Sequence, residues 1–380
     1  MTNLINLFEA TNSVDTAGNS LHARFVALHE ERARNGERAL RRKELAEQLE
    51  VPEAALIDQQ CGLSSLRLTE DFAGIINSLE SLGYIMSLTR NESAVHERKG
   101  CYQNVSVRGP MGLVISDDRK IDLRIIVGRW ASGYAIQEQV NDGYRYSLQF
   151  FDQAGVAIQK IFLQAESNFE AYQTLIETFK GDDSSAATYS EITDQPEYVD
   201  CAEVDKQALT DEWQKMTNVH QFFGILKKHK ISREQSFSIV GAPLAQPFDP
   251  ALVEQLLHDI AATDLSIMCF VGNRGNIQIH TGAIETVKKV GPWLNILDPE
   301  FNLHLLIDNV ASGWVISKPT EDGNVTSVEL YDEAGETIAQ FFGQRVEGQV
   351  ENTQWHAFTQ QLLAQTKGAV VVEKMKVQSA

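Results

Sequence analysis

Residues 121–163 can be laid over residues 301–343 without a gap. Ala131-Ser132-Gly133 then falls on Ala311-Ser312-Gly313, Asp142-Gly143 on Asp322-Gly323, and Asp152 with Ala154-Gly155 on Asp332 with Ala334-Gly335. Thirteen of the 43 aligned positions are identical, where chance matching at ordinary residue frequencies gives roughly 3. Helical patterns precede the strands in both halves: Arg38–Leu49, Glu53–Asp58 and Asp71–Leu82 in one, Val219–Lys228, Arg233–Val240 and Pro250–Ala262 in the other. A period of 180 residues repeated twice is a duplicated domain and not a solenoid. The expected organisation is an N-terminal repeat over 1–180, an acidic linker over 181–206 and a C-terminal repeat over 207–380.

Turn residues set the class. Tyr134–Val140, Asp142-Gly143 and Tyr144–Phe151 read as a hairpin, and Gln153-Ala154-Gly155 turns the chain into Val156–Leu163. The second half repeats this around Asp322-Gly323 and Glu333-Ala334-Gly335. Consecutive short strands joined by tight turns make antiparallel sheets. The expected fold is α+β: two large antiparallel β-sheets, each with accompanying helices. Gly181–Lys206 carries eight carboxylates against one lysine and reads as solvated linker.

Charge removes several functions. The 380 residues hold 33 basic and 52 acidic side chains, a formal charge of −19, which opposes nucleic-acid and anionic-membrane binding. Arg41–Leu56 resembles the start of a helix-turn-helix, but Ala54–Cys61 offers no basic residue to a phosphate or a guanine edge. The cluster Arg32, Arg34, Arg38, Arg41, Arg42 and Lys43 reads as a solvated helix face. No apolar run approaches the ~20 residues that span a bilayer, and the N-terminus lacks the layout of a signal peptide. Cys61, Cys101, Cys201 and Cys269 lie far apart and read as free thiols in a reducing cytoplasm. No P-loop, strand-to-helix GxGxxG, HExxH or GxSxG is present, and the nine histidines and four cysteines form no zinc set.

His220 stands out. Asn218 is positioned to cap a helix whose apolar stripe is Val219, Phe222, Phe223 and Leu226. His220 lies beside that stripe in the first turn, where the helix dipole disfavours an imidazolium and favours the neutral, ligating ring. A first-turn histidine is by itself also an ordinary surface or packing residue.

Five motifs, in order along the chain, carry a family resemblance: Ile121–Arg124 (IDLR), Asp211–Phe223 (DEWQKMTNVHQFF), Phe270–Gly275 (FVGNRG), Ser317–Thr320 (SKPT) and Phe341–Arg345 (FFGQR). Together they resemble the bacterial hemin-degrading factor (HemS-type) family of cytoplasmic haem-handling proteins over nearly the whole chain. The resemblance implies one haem b between the halves, as substrate or cargo. It implies His220 as the ligand to the haem iron and Arg124 as a distal donor acting through water. Arg233, Lys318 and Arg345, with Gln340 and Phe270, would line the ring and its propionates. The family's pattern has tyrosine at the position of Phe342, which puts one propionate hydrogen bond in doubt but not the iron ligation. A neutral imidazole is a standard haem ligand and distal donors govern oxygen chemistry. A guanidinium stays charged at every relevant pH, and cations at the rim match two propionates.

The repeat tests this assignment. Subtracting 180 places His220 on Leu40, Arg233 on Glu53, Lys318 on Glu138, Gln340 on Lys160 and Arg345 on Ala165, while Arg124 corresponds to His304. Leucine cannot ligate iron, so one tight haem site is expected. His96 and His304 remain candidates for transient ligation, against packing or surface roles. Two functions share the pocket: reductive, oxygen-dependent opening of the porphyrin with an external electron donor, or carriage of haem from the cytoplasmic side of an importer to a separate haem oxygenase.

Overall fold

The two Asp-x-Ala-Gly turns of the repeat fold alike. In the computed structural model the Gly155 N–H donates to Asp152 O at 2.9 Å and the Gly335 N–H to Asp332 O at 3.0 Å. Each aspartate side chain also accepts from the alanine N–H two residues on, at 2.9 and 3.0 Å. The glycines hold φ at +75° and +77°, which costs nothing without a Cβ. The structure describes residues 21–140, 143–182, 187–194, 196–346 and 348–378, with side chains of the last helix through Thr366.

The strands form two nine-stranded sheets, and the chain divides into two units. Unit 1 comprises the residues up to Thr89, Arg98–Thr193 and Asn273–Ile277; unit 2 comprises Arg90–Glu97, Asp194–Gly272 and the residues from Gln278. Each unit therefore contains a short piece from the other half of the sequence.

The elements of the first half are α1 (Leu21–Arg34), α2 (Arg42–Leu49), α3 (Glu53–Asp58), β1 (Ser65–Arg67), α4 (Phe72–Ser78), β2 (Gly83–Arg90), β3 (Ala94–Cys101), β4 (Ser106–Arg108), β5 (Met111–Ile115), β6 (Asp122–Ile125), β7 (Ser132–Val140), β8 (Gly143–Phe151), β9 (Ala157–Ser167) and α5 (Phe169–Phe179). In unit 1, β1, β7, β8, β9 and β2 pair antiparallel in that order, and β4–β5–β6 form a meander. The end of β8, Ser147–Phe151, is buried without alternation, because helices cover both faces. Leu148 and Phe150 pack with Phe72, Ile75, Tyr172 and Ile176 of α4 and α5. Phe151 packs with Ala54 and Ile57 of α3.

The second half supplies α6 (Lys206–Gln214), α7 (Gln221–His229), α8 (Arg233–Val240), β10 (Ala245–Phe248), α9 (Val253–Ala261), β11 (Ile267–Gly272), β12 (Asn276–Gly282), β13 (Val287–Val290), β14 (Trp293–Leu297), β15 (Phe301–Leu306), β16 (Ser312–Thr320), β17 (Gly323–Tyr331), β18 (Thr337–Gly343) and α10 (Thr353–Gln378). In unit 2 the antiparallel order is β10, β16, β17, β18, β11, with β13–β14–β15 as a meander. One face, with Val328, Leu330 and Phe341, packs on α9 and α10. On the other face, Ile316 and Tyr331 pack beneath Trp213, Phe222 and Phe237 of α6–α8.

Some expected boundaries move. The helix expected from Arg38, α2, begins at Arg42, because Arg41 takes extended backbone and its N–H donates to the Glu44 carboxylate at 2.7 Å. Asp71–Leu82 and Pro250–Ala262 each contain a 3₁₀ turn, at Leu79–Leu82 and Pro250–Leu252. Thr320 pairs with Gly323, so the second hairpin turns on Glu321-Asp322 and Gly323 opens β17 at φ +111°. In the first hairpin Val140 pairs with Gly143, while Asn141 and Asp142 lie outside the described residues. The acidic stretch is not wholly solvated. The Ala187 N–H donates to Asp58 Oδ2 at 3.0 Å, and the Val199 N–H donates to Lys230 O at 2.9 Å.

Candidate functional site

Strand alternation brings Ser327, Glu329, Tyr331, Gln340, Phe342 and Phe270 to one face of the unit 2 sheet, since Glu329 and Phe270 each pair with Gln340, and Ser327 with Phe342. At its centre Glu329 is 0 % exposed, and five side chains donate to its carboxylate. Arg233, the first residue of α8, reaches it with two prongs, Nε to Oε2 at 2.6 Å and Nη2 to Oε1 at 2.7 Å. Lys318 Nζ (3.2 Å), Ser327 Oγ (2.7 Å), Tyr331 OH (2.7 Å) and Gln340 Nε2 (3.1 Å) complete the set. A buried carboxylate survives only with such partners. Its burial raises the pKa, but Arg233 and Lys318 outweigh that and hold it well below the ordinary carboxylate range. Two cations share one carboxylate, so the cluster holds one positive charge in excess.

Lys318 is 3 % exposed, and burial pushes its pKa down to about 8, with Glu329 opposing and Arg233 reinforcing the shift. Burial also acts against the charge of Arg233, yet Glu329 moves the guanidinium pKa upward overall. The Phe222 ring covers both cations, with Lys318 Nζ 4.7 Å and Arg233 Cζ 5.2 Å from its centroid, a cation–π arrangement that tolerates their partial desolvation.

Phe222 also locates His220, two residues upstream. The segment before α7 is pinned to the sheet: Trp213 Nε1 donates to Ser317 O at 3.0 Å, and the Glu321 N–H to Thr217 O at 3.0 Å. Gln221 Oε1 accepts from the Thr217 N–H at 2.9 Å. Asn218 does not cap the helix. Its Oδ1 accepts from the His220 N–H at 2.9 Å, and His220 itself occupies the N-cap position. The apolar stripe shifts accordingly to Phe222, Ile225 and Leu226, leaving Phe223 75 % exposed. His220 thus has a fixed backbone and an exposed side chain.

The other expected residues fall into three groups. Phe270 and Phe342 are half-buried and touch, with ring centroids 5.0 Å apart at 59°. Arg345 is exposed beyond the end of β18 and stands outside the Glu329 cluster. Arg124 belongs to unit 1, where it lies on β6 opposite Leu113 and pairs with the Asp122 carboxylate. His96 is fully buried, accepts from Gln278 Nε2 at 2.8 Å if its Nδ1 is unprotonated, and packs on Phe301. The His304 ring lies 2.6 Å from Asn295 Oδ1. Both histidines are built into the packing. Among the described residues no group of three or more His, Cys, Asp or Glu could hold a metal ion directly.

Strand patterning does not single out Glu329 or Tyr331, although the repeat carries one signal: residue 329 falls on Gln149, so the position is polar in both halves. In the equivalent cluster of unit 1 each buried or half-buried cation has a carboxylate of its own, and only the exposed Arg145 is in excess. Lys160 pairs with Glu53, and Glu138 pairs with Arg42 and, at 2.7 Å, with Arg145. Arg145 also lies over Phe162, the counterpart of Phe342, at 5.1 Å. Unit 2 alone combines an exposed imidazole, a half-buried aromatic pair and surplus buried cation charge. These groups suit a flat apolar ligand with anionic substituents and a ligatable metal.

Comparison with known proteins gives consistent matches. A family model described as the haemin-degrading HemS.ChuX domain matches twice, over residues 50–179 and 230–362. The chain is 38% identical over 313 residues to the hemin transport protein HmuS of Yersinia pestis, covering 82% of this chain and 90% of that protein. It is similar to the crystal structure of holo-PhuS, a heme-binding protein from Pseudomonas aeruginosa, with a TM-score of 0.85 and 38% identity over 90% of this chain and 98% of that one. It is also similar to the structure of ChuS, described as an E. coli heme oxygenase, with a TM-score of 0.79 and 35% identity over 90% of this chain and 98% of that one.

Proposed function

We propose, from the premise that this chain belongs to the haemin-degrading HemS/ChuX family, that it binds one haem with His220 as the iron ligand and opens the macrocycle oxidatively. The observation that carries the reading is the asymmetry between repeats: unit 2 has the imidazole, the aromatic pair and two inward cations on one carboxylate, whereas unit 1 has leucine and a separate carboxylate for each of Lys160 and Arg42. Haem is the oxygen-activating group, and the chain supplies orientation and electrostatics. His220 would hold the iron. Phe270 and Phe342 would flank the ring, and Arg233, Lys318, Gln340 and Arg345 would receive the propionates. Arg124 is assigned the distal donor role, since a guanidinium can polarise bound water or oxygen without itself ligating. The electron donor is external. The four free cysteines fit the reducing cytoplasm this role requires.

Exposure of His220 favours a second reading, in which haem is carried from the importer to a separate oxygenase, because an accessible ligand can be exchanged. One experiment separates the two. Hemin titration should saturate at one equivalent, and reductant added with catalase present should then bleach the Soret band. Intact haem, under conditions where a true haem oxygenase destroys it, would make the protein a carrier. Two equal tight sites would remove the single-site proposal.

The depressed pKa of Lys318 gives this site a pH signature. Propionates favour the ammonium form, so binding keeps full benefit from Lys318 below about pH 8 and must take up a proton above it. Hemin affinity is expected to fall as pH rises from 7 to 9.5. The Lys318→Met variant should bind more weakly at pH 7 and show a flatter profile. Identical profiles in the two proteins would place the propionates elsewhere.

A further inference from the structure

One opening in unit 2 contains none of the residues assigned above to haem. It is a groove of about 740 Å³ between α8, β10, Trp314 of β16 and the α10 residues Leu363 and Thr366. Its walls are mostly apolar, with Phe237, Ala245, Pro247 and Trp314 contributing, and none of its lining residues is charged.

The internal repeat supplies a comparison. Subtracting 180 converts Phe237, Ser238, Pro247 and Trp314 into Ile57, Asp58, Arg67 and Tyr134. At those positions in unit 1 the place is taken by a stretch of chain that is neither helix nor strand, Ala187–Glu191. Its main chain is held at both ends: the Ala187 N–H donates to Asp58 Oδ2 at 3.0 Å, the Ser190 N–H to Gln153 O at 2.9 Å, and Gln153 Nε2 to Glu191 O at 3.1 Å. Between these ties the Tyr189 ring packs on the cluster of Ala54, Ile57 and Tyr134. It lies so close to Gly155 that a Cβ there would stand 2.9 Å from the ring. Unit 1 therefore seats a peptide bearing one aromatic anchor here, with an opening of about 470 Å³ left beside Arg67 and Tyr189. In unit 2 the residues at the equivalent positions, 367–371, continue the helix α10, and Leu363 and Thr366 of that helix form a wall of the groove.

We propose that the unit 2 groove is a docking site for an extended segment of a partner protein that inserts an uncharged aromatic side chain, as Tyr189 does in unit 1. The chemistry of the walls defines the segment. Where unit 1 offers Asp58 and Arg67, unit 2 offers Ser238 and Pro247, so the partner needs no charge at the anchor. Ser238 is exposed on α8 and Gln246 is half-buried on β10; both can meet main-chain polar groups of an extended peptide. Such a segment gains affinity from one buried aromatic anchor flanked by backbone hydrogen bonds.

The test uses the full chain with haem bound. Twelve-residue peptides selected from a random display library should converge on an uncharged motif with a central aromatic residue. They should bind the wild type at least tenfold more tightly than the Ser238→Arg protein, measured by fluorescence anisotropy. Ser238 lies outside the haem site, so hemin affinity and thermal unfolding should be unchanged in Ser238→Arg, which separates blocked docking from misfolding. A Gln246→Arg variant should reproduce the loss. Failure to enrich any motif, or equal binding to wild type and both variants, would overturn the proposal. So would concentration-dependent dimerisation abolished by Ser238→Arg, which would make the occupant a second copy of this chain.

Discussion

Replacing His220 with alanine should collapse ferric haem binding, with loss of the histidine-ligated spectrum and a fall in affinity of at least about 100-fold. That figure is the upper end of what changes to outer-shell partners of a metal ligand cost, and loss of the ligand itself should cost no less. Folding should be untouched, because His220 is exposed and contributes its backbone rather than its ring to the loop. The measurement is a hemin titration followed in the Soret region, beside thermal unfolding of the apoprotein. An unchanged spectrum and affinity would place the iron on another residue. His96 and His304 are poor substitutes, since each ring is engaged in packing or with an amide side chain.

The second large effect concerns Glu329 and falls on stability as well as binding. Glu329→Ala leaves Arg233 and Lys318 without their shared counter-ion, and removing one partner of a buried ion pair costs about 3–5 kcal/mol. The denaturant midpoint should drop accordingly. Glu329→Gln keeps the shape and several hydrogen-bonding positions and should cost less. The pH dependence follows from the lowered pKa. Protonation of Glu329 occurs more readily in the unfolded chain, near its ordinary value of 4.5, than in the folded one. Its stabilisation is therefore complete above that pH and declines as the pH falls further. Glu329→Gln should lose this part of the acid slope. A wild-type stability indifferent to the substitution would mean that the cations are satisfied without it.

These two residues mark what could be read from the sequence. His220 was legible because a motif surrounds it and because its repeat partner, Leu40, cannot do its chemistry. Glu329 was not, since a lone acid within VELY looks like an exposed strand residue until its burial, its two neighbouring strands and the helix bearing Arg233 are known. The helices Glu53–Asp58 and Arg233–Val240 match expectation, each preceded by a residue at non-helical ψ, Pro52 at 143° and Ser232 at 165°. The buried face of the helix that follows His220 differs from expectation for a specific reason. Phe223 satisfies the same apolar spacing as Ile225, and periodicity cannot say which of two overlapping stripes faces the core. The meanders β4–β6 and β13–β15 were missed because their strands are short and their outward residues apolar, as with Met111 and Leu113.

The reciprocal composition of the units bears on how the gene could be divided. Unit 1 includes Asn273–Ile277, where Gly275 O accepts from Trp130 Nε1 at 3.1 Å and Asn276 Nδ2 donates to Thr89 Oγ1 at 2.7 Å. A fragment ending at Thr193 would leave that tryptophan indole without its acceptor and a buried threonine without its amide. Unit 2 has the converse debt to Arg90–Glu97, where Asn91 Nδ2 donates to Ile338 O at 2.9 Å. The linker looks like the natural cleavage point, yet neither product of a cut there would be whole. What was doubled in sequence is interleaved in structure, and each unit draws residues from both sides of the linker.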